Sequence, residues 1–443
     1  MKKFRVAIIG CGTVGGGVAK ILTEISSKLA ERANSTIELA RIVELNATEA
    51  IKRFGLDSSY FVDGNNNITS EQAGAAIQDI LNDKTIDLVV ETVGGKSDFV
   101  YNLCLNVLNS GKHLVTANKA LLATRGKAIF QAAIDNNVTI GYEASVCGAI
   151  PAIKTIKESF SGDEINSFSG IMNGTSNYIL SSMQNKKLGF DQALKMAQDN
   201  GYAEADPTLD VNGGDAGHKM IILIKLAFGI DVEVEDLPII GIQNIEKEDV
   251  EFAAEIGAKI KLIGYAQRKD DDIYATVRPM MVKNNNFLSS VDGATNALRF
   301  SNRYSGTHIL VGEGAGSGET ASSIVADIVF AARYGNNIKN ETKPQNLVFC
   351  DDKYFEFPYL ITFNTEDAPG TTGFITTEIG AMGINIDTVS HNRRDVSHAT
   401  FSVATTPCRI GLINEAIEII KTKRPEILVA EPKIMPILYS DRK

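Results

Sequence analysis

The sequence predicts an α/β protein: an open, doubly wound parallel sheet, then an α+β region, then a small βαββαβ unit. Three observations carry this. The β run Phe4 to Ile9 opens at once into Gly10-Cys-Gly12-Thr-Val-Gly15 and a helical pattern. Strands and helices then alternate to about Ala144, the order that builds a parallel sheet. From Tyr359 the order becomes strand, helix, strand, strand, helix, strand. Composition agrees. A chain of 443 residues with 44% hydrophobic content can bury a large core and divides into two or three domains.

The same composition excludes several classes. A net charge of −10 with no basic block argues against a nucleic-acid partner. The opening MKKFRVAIIG is too short an apolar run for a secretory signal. The longest apolar run, near Met220 to Phe228, is broken by Lys225 and cannot span a bilayer. Five scattered cysteines, with no Cys-x-x-Cys or His-x-x-x-His pair, fit a reduced cytoplasmic chain without a zinc or iron centre.

In chain order, Gly10, Gly12, Thr13, Val14 and Gly15 form the turn of a dinucleotide fingerprint, with one helical pattern from Val14 to about Arg32. Its glycines allow a tight turn and close approach of backbone to a pyrophosphate, and the helix start offers free N–H donors. Ile37 to Leu45 is the second strand, and Glu44 at its end faces the expected ribose. A carboxylate there bonds ribose hydroxyls and repels a 2′-phosphate, so NAD is favoured over NADP, although Arg41 lies three residues earlier. Ala73 to Leu81, Phe99 to Leu108 and Leu121 to Asn136 read as helices; Leu88 to Glu91, His113 to Thr116 and Val138 to Ala144 read as strands. Lys119 falls at a strand's carboxyl end and a helix start, the wrong end of a helix for a cation. Contact with substrate or nicotinamide is a reason to keep it there. Glu143 precedes the elbow Ser145 to Pro151, which is either a tight packing corner or an oxygen-only cation site.

Gly162 to Gly170 is a further strand, followed by Asn173-Gly174-Thr175-Ser176 and a helix. The stretch Gly201 to Lys219 then gathers Glu204, Asp206, Asp210 and Asp215, irregular as far as Gly214 and helical from Asp215. Asp215 and Lys219 share a face at i,i+4. The pair is either an acid/base centre or an ordinary capping acid with its ion pair. Phe190 to Gln198 and Glu248 to Gly257 read as helices; Lys259 to Gln267, Ala275 to Val282 and Thr307 to Val311 read as strands. The loop Glu313 to Gly318, with Gly316 a cofactor-binding candidate, leads to a helix from Thr320 to Arg333. The final strand of the C-terminal unit is expected at Ile427 to Ala430, before Pro432.

These residues closely resemble homoserine dehydrogenase. The likeness covers almost the whole chain: the glycine turn, VTANKALLA from Val115, YEASVCGAIP from Tyr142, NGTSNYIL from Asn173, and GYAEADPTLDVNGGDAGHK from Gly201. The last of these is close to diagnostic. The tail resembles an ACT domain, an amino-acid-sensing module. The resemblance implies a Rossmann-type nucleotide domain (1–142), a catalytic and dimerisation domain (143–319), a helix 320–335 returning to the first, a linker (336–354) and an ACT-like domain (355–443). It further implies reduction of aspartate 4-semialdehyde to homoserine with NAD or NADP. Lys219 would exchange the proton, with Lys119 and Asp215 as the other catalytic residues. Glu204 would hold the substrate's ammonium, with Asp210, Thr175 and Gly174 also on the substrate. A monovalent cation, sodium, would sit on Glu143 and the main-chain oxygens of Val146, Gly148 and Ile150. A homodimer or homotetramer and an amino-acid effector at the tail are the implied partners.

The chain departs from the family at three places: Cys147 and Ala149 where glycines are usual, Glu44 where many relatives carry an arginine, and Asp367-Ala-Pro-Gly-Thr-Thr in the tail. Two other readings remain at this stage. A thiol-dependent semialdehyde dehydrogenase would need Cys147 as nucleophile. A nucleotide- and amino-acid-binding sensor without turnover would carry a degenerate site, with the ACT-like tail as the best argument for it.

Overall fold

The computed structural model describes residues 2–335, 346–393 and 398–439. Its first sheet comprises β1 (Lys3–Ile9), β2 (Thr36–Val43), β3 (Leu88–Glu91), β4 (His113–Thr116) and β5 (Ile140–Gly141), all parallel in the order β2-β1-β3-β4-β5. Alternate residues of β1 serve opposite faces. Val6 and Ile8 pack with the helices Thr13–Glu24 and Ser317–Tyr334, whereas Ala7 and Ile9 pack with Asp98–Asn109 and Lys119–Asp135. Every residue of β3 and β4 is buried, as a doubly covered parallel strand requires.

Two elements differ from the sequence reading. The single helix expected from Val14 to Arg32 is two helices, Thr13–Glu24 and Ser26–Ala33, broken at Ile25. The break turns the second helix so that Leu29 and Ala33 bury beside β2. The last parallel strand, expected to reach Ala144, stops at Gly141. There the chain bends into a 3-10 turn, Glu143–Ser145, and the Glu143 N–H donates to Asp327 Oδ2 at 2.9 Å. Asp327 lies on Ser317–Tyr334, a helix that comes back to the nucleotide sheet and donates from Ser317 Oγ to the Thr13 carbonyl at 2.6 Å.

The second sheet is antiparallel through β6 (Ile165–Ile171), β7 (Ala258–Lys269), β8 (Asp272–Lys283), β9 (Thr295–Asn302) and β10 (Gly306–Glu313), in the order β10-β9-β6-β7-β8. β9 went unread in the sequence because its TNALRFSN carries polar residues on both sides of a short apolar centre. One face of this sheet carries the helices Gly174–Lys186 and Gly214–Phe228. Gly264 of β7 pairs with Gly170 of β6 beneath them. A Cβ on Gly264 would lie 2.6 Å from Met220 Sδ and 3.1 Å from Met172 Cε. The bare backbone therefore sets how closely the second helix seats. Gly264→Val is expected to overpack this contact by about 1–3 kcal/mol, lowering the unfolding midpoint in a thermal scan.

The C-terminal unit runs Tyr359–Glu366, helix Thr371–Ala381, Ile386–Arg393, His398–Thr405, helix Ile410–Lys423, Lys433–Leu438. Its strands lie in the order last, first, third, second, a ferredoxin-like sheet. Ile427 does not open the final strand: Pro425 fixes a 3-10 turn at Pro425–Ile427, and the strand begins beyond Pro432. That strand also pairs in parallel with the end of β8, Ile437 with Met281 and Leu438 with Val282, joining the two sheets. Of the segment read as linker, 336–345 lie outside the described residues, and Val348–Phe349 pairs with Asp272 and Ile273 at the start of β8. Among the described residues no helix is long and apolar enough to cross a membrane.

Candidate active site

The nucleotide turn is built on close contacts that only glycine permits. Gly10 has φ +89°, and a Cβ there would meet the Thr92 backbone at 2.8 Å; one on Gly15 would meet the Gly10 carbonyl at 2.0 Å. Gly12 differs: a Cβ on it would meet nothing within 4 Å. Gly12 is also the N-cap of Thr13–Glu24, with no side chain closing the helix start. Free N–H groups, open space and a helix N-terminus form a cradle that fits a pyrophosphate. Val14 stands in the first turn, and Ser317 binds the Thr13 carbonyl, which places Gly316 beside the same turn. Glu44 accepts from Cys11 N–H at 2.5 Å and from Asn46 N–H at 3.0 Å, so its carboxylate is fixed against the turn.

The carboxyl ends of β3 and β4 are tied together by buried polar groups. Glu91 accepts from Thr116 Oγ1 at 2.6 Å and from Gly94 N–H at 2.8 Å. Asn118 caps the helix Lys119–Asp135 through Leu121 N–H and donates to the Gly95 carbonyl at 2.6 Å. Lys119 is thereby held at the sheet's edge, half-buried, and its Nζ lies 3.1 Å from Asp215 Oδ1.

Asp215 and Lys219 come from the second domain, on the first turns of Gly214–Phe228. Gly213 at φ +85° starts this helix, and Met220, Leu223 and Ile224 bury it on β7 and β8. Lys219 Nζ lies 2.8 Å from Asp215 Oδ2 and also donates to the Met172 carbonyl. One buried carboxylate thus carries an ammonium on each oxygen. Burial alone would push the Asp215 carboxyl up, but Lys219 and Lys119 outweigh it and hold the group below the usual range. Burial likewise opposes charge on Lys219, and Asp215 overcomes it, raising the ammonium's pKa.

A residue the sequence reading passed over joins these acids. Asn173 Nδ2 donates to Asp210 Oδ1 at 2.6 Å and to Asp215 Oδ2 at 2.9 Å. An asparagine just before Gly-Thr-Ser at a helix start is an N-cap signal, and that signal could have flagged it. Burial pushes the Asp210 carboxyl up. Gly174 packs under the Ala294 carbonyl, which a Cβ would meet at 2.7 Å. Thr175 Oγ1 donates to the Tyr202 carbonyl at 2.6 Å, and Tyr202 stacks on Tyr178 at 4.4 Å. These contacts anchor the loop bearing Glu204. The Glu204 carboxylate itself is exposed, with no hydrogen bond or ion pair among the described residues, and nothing joins it to the lysines. His218 is buried beside Lys219; burial lowers its pKa, and its Nδ1 has no partner.

The elbow is also close-knit. Glu143 is buried, and its two oxygens accept from Ile153 N–H at 2.8 Å and Lys154 N–H at 2.9 Å. Burial and neighbouring Asp327 push its pKa up to about 7. The Gly148 carbonyl accepts from Ser323 Oγ, and that of Ile150 from Ala152 N–H, while Val146 is fully buried. Among the described residues there is no cluster of three or more His, Cys, Asp or Glu side chains placed to hold a metal. Cys147 keeps the left-handed backbone of a glycine, φ +54°, ahead of Gly148 at +52°. Its thiol is buried, and burial raises its pKa, so the thiolate a covalent route needs is disfavoured at neutral pH.

With this geometry in hand, two family models match: "Homoserine dehydrogenase, NAD binding domain" over residues 10–143 and "Homoserine dehydrogenase" over 151–329. The chain is 34% identical to the homoserine dehydrogenase of Pseudomonas aeruginosa, over 94% of this chain and 95% of that one. It is 37% identical to that of Helicobacter pylori, over 91% and 93%. The solved structure of a homoserine dehydrogenase from Thiobacillus denitrificans superposes with a TM-score of 0.88 at 33% identity, covering 99% of this chain and 98% of that one.

Proposed function

The chain belongs to the homoserine dehydrogenase family, and from that membership we propose how its residues divide the NAD(P)-dependent interconversion of L-aspartate 4-semialdehyde and L-homoserine. The observation that carries the reading is the array Lys119–Asp215–Lys219, with ammonium groups 3.1 and 2.8 Å from the two oxygens of one carboxylate. The nicotinamide, when bound, exchanges a hydride with the carbon bearing the substrate oxygen. The chain supplies placement, charge and one proton.

Lys219, kept protonated by Asp215, donates to the oxygen in the reducing direction and accepts its proton in the oxidising one. Lys119 adds a second positive charge at the alkoxide and borders the cofactor. Asp215 orients both. Glu204 receives the substrate's ammonium and Asp210 helps orient the substrate, with Thr175 and Gly174 at the adjoining helix start. The free carboxylate of Glu204 supports this, because an acid intended for a ligand needs no partner of its own.

Gly10, Gly12, Thr13, Val14, Gly15 and Gly316 hold the dinucleotide, and Glu44 favours NAD. A monovalent cation, sodium, is proposed at Glu143 with the carbonyl oxygens of Val146, Gly148 and Ile150. What supports it is local charge: Glu143 and Asp327 are two buried acids close to one lysine, Lys154, which pairs with Asp327 at 2.7 Å. The open edge of β10, with Ile309 and Val311 exposed, supports association of two or four copies. An amino-acid effector at the C-terminal unit and a cytoplasmic location complete the reading.

The test is oxidation of L-homoserine followed at the absorbance of the reduced nicotinamide, with NAD and NADP in turn, and with or without threonine. Faster turnover with NAD is expected, and Glu44→Arg should shift the ratio of kcat/KM values towards NADP by at least tenfold. Strong NADP preference in the unaltered enzyme would overturn the role given to Glu44. Absence of turnover with either cofactor would overturn the assignment of roles and favour a sensor.

A further inference from the structure

A buried polar hub of the site belongs to a residue that none of these roles uses. Asn173 sits between β6 and the helix Gly174–Lys186, and its side chain is buried. Its two ends do different things. Oδ1 accepts from Ser176 N–H at 2.8 Å, which caps the helix. That bond fixes which end of the amide is which, and so turns Nδ2 towards the acids. Nδ2 carries two hydrogens. One goes to Asp210 and the other to Asp215, on the same oxygen that binds Lys219.

The helix behind the cap is pinned. Asn177 donates to the carbonyls of Val291 at 3.0 Å and Thr295 at 3.1 Å, and buried Lys261 donates to Asn177 Oδ1 at 3.0 Å. Lys261 is itself paired with Asp292 at 2.8 Å. From the same first turn, Ser176 Oγ donates to the Asp210 carbonyl at 2.8 Å. Asp210 is thus gripped at backbone and side chain by one anchored helix end.

We propose that Asn173 is a positioning residue for the reaction: its capped amide aligns Asp215 between the two lysines and holds Asp210 ionised beside it. Two carboxylates facing each other repel, and a neutral group donating to both relieves the repulsion without a charge of its own. A lysine in that place would compete for Asp215 with Lys219. An apolar residue would take away the Asn173 donor at Asp210 Oδ1. The charged groups around Asp210 are Asp215 and Lys219 on the helix Gly214–Phe228, with Lys119 reaching Asp215 from the far side.

The inference rests on the roles given above to Asp215 and Lys219, and the experiment separates the two. Asn173→Ser keeps a cap acceptor but loses both donations; Asn173→Asp keeps the cap and the shape but sets a third carboxylate against the two acids. Homoserine oxidation is measured for both across a pH series, beside the unaltered protein, with thermal unfolding as the check on folding. Expected for Asn173→Ser is a fall of at least tenfold in kcat/KM, with an acid limb displaced to higher pH because Asp210 now protonates more readily. A larger fall is expected for Asn173→Asp; both variants should unfold at a lower midpoint but in one cooperative transition that shows a folded protein at the assay temperature. A merely structural cap would leave rate and acid limb in place in both variants, and that result would overturn the proposal. Should Asn173→Ser fail to fold, Asn173→Asp alone decides by the same criterion. An inactive unaltered protein would instead discredit the roles of Asp215 and Lys219.

Discussion

Lys219→Met should lower kcat for homoserine oxidation by about a thousandfold, within the 10²–10⁴ typical of a lost acid/base group and equal to about 4 kcal/mol of barrier. Methionine is close to lysine in length, and Met220, Leu223 and Ile224 still bury the helix, so it should keep its seat on β7 and β8. What disappears is the only buried ammonium in the array. Lys119 remains at 3.1 Å from Asp215 but is only half-buried, and it approaches from the parallel-sheet domain. On the proposed roles it shields charge on the substrate oxygen and does not carry the proton. The KM for the nicotinamide should barely move, because Lys219 touches nothing in the glycine turn. Lys219→Arg should not rescue the rate, since a guanidinium keeps its proton at any working pH. The decisive measurement is steady-state kinetics with both substrates varied. A Lys219→Met enzyme keeping more than a tenth of its kcat would remove Lys219 from the chemistry.

The sequence announced the parts of this site that depend on short-range geometry. Gly10-Cys-Gly12-Thr-Val-Gly15 needs only a strand before it and a helix after it, and both are present. Asp215 and Lys219 needed only the helical repeat to meet, and they meet at 2.8 Å. The βαββαβ tail was legible for the same reason, except at its last strand, where Ile427-Leu428-Val429 has the composition of a strand but follows Pro425 into a turn. What the residue pattern could not give is anything closed by tertiary contact. Lys119 and Asp215 are brought together by the docking of one domain on another; their pairing was not in the pattern. Asn173 was read only as part of the run before a helix, and its bonds to the acids exist only because Asp210 and Asp215 return beneath it. Cys147 was noted as a substitution for glycine, but only the backbone shows that it holds the glycine's left-handed conformation. In an L-residue that conformation costs roughly 1–2 kcal/mol, held in place here by the bonds of Ala149 N–H to Glu313 and of Ser323 to Gly148.

Asp215→Asn is the most informative single change, because it separates charge from shape. The amide keeps the volume and the helix position but removes the anion that two ammonium groups share. Breaking a buried ion pair by removing one partner costs about 3–5 kcal/mol, so the unfolding midpoint should drop by several degrees. Its pH dependence has a definite sign. The Asp215 pKa is depressed in the fold, so the stability it gives is present above the unfolded value of about 3.9 and is lost as pH falls through the lower folded value. Lys219 is raised, so its share is complete below about 10.4 and is lost as pH climbs through the folded value. Both contributions are therefore at full strength near neutrality, where the variant should differ most from the unaltered protein. Catalysis should move along the pH axis. With Asp215 gone, burial still works against the Lys219 ammonium, and its largest counterweight is lost, leaving only the smaller pull of Cys147 and Asp210. Its pKa falls, and a larger fraction is neutral at pH 8. At any one pH the equilibrium constant ties the two directions, so kcat/KM for semialdehyde reduction and for homoserine oxidation should fall together, by two to three orders of magnitude, of the order of one acid/base group. What moves is the pH profile: the rising limb of oxidation, which needs the free amine, and the falling limb of reduction, which needs the proton, should both shift to lower pH. A loss of rate with unmoved limbs would mean that Asp215 serves the fold alone. Displaced limbs would locate the proton on Lys219 and make Asp215 the group that keeps it there.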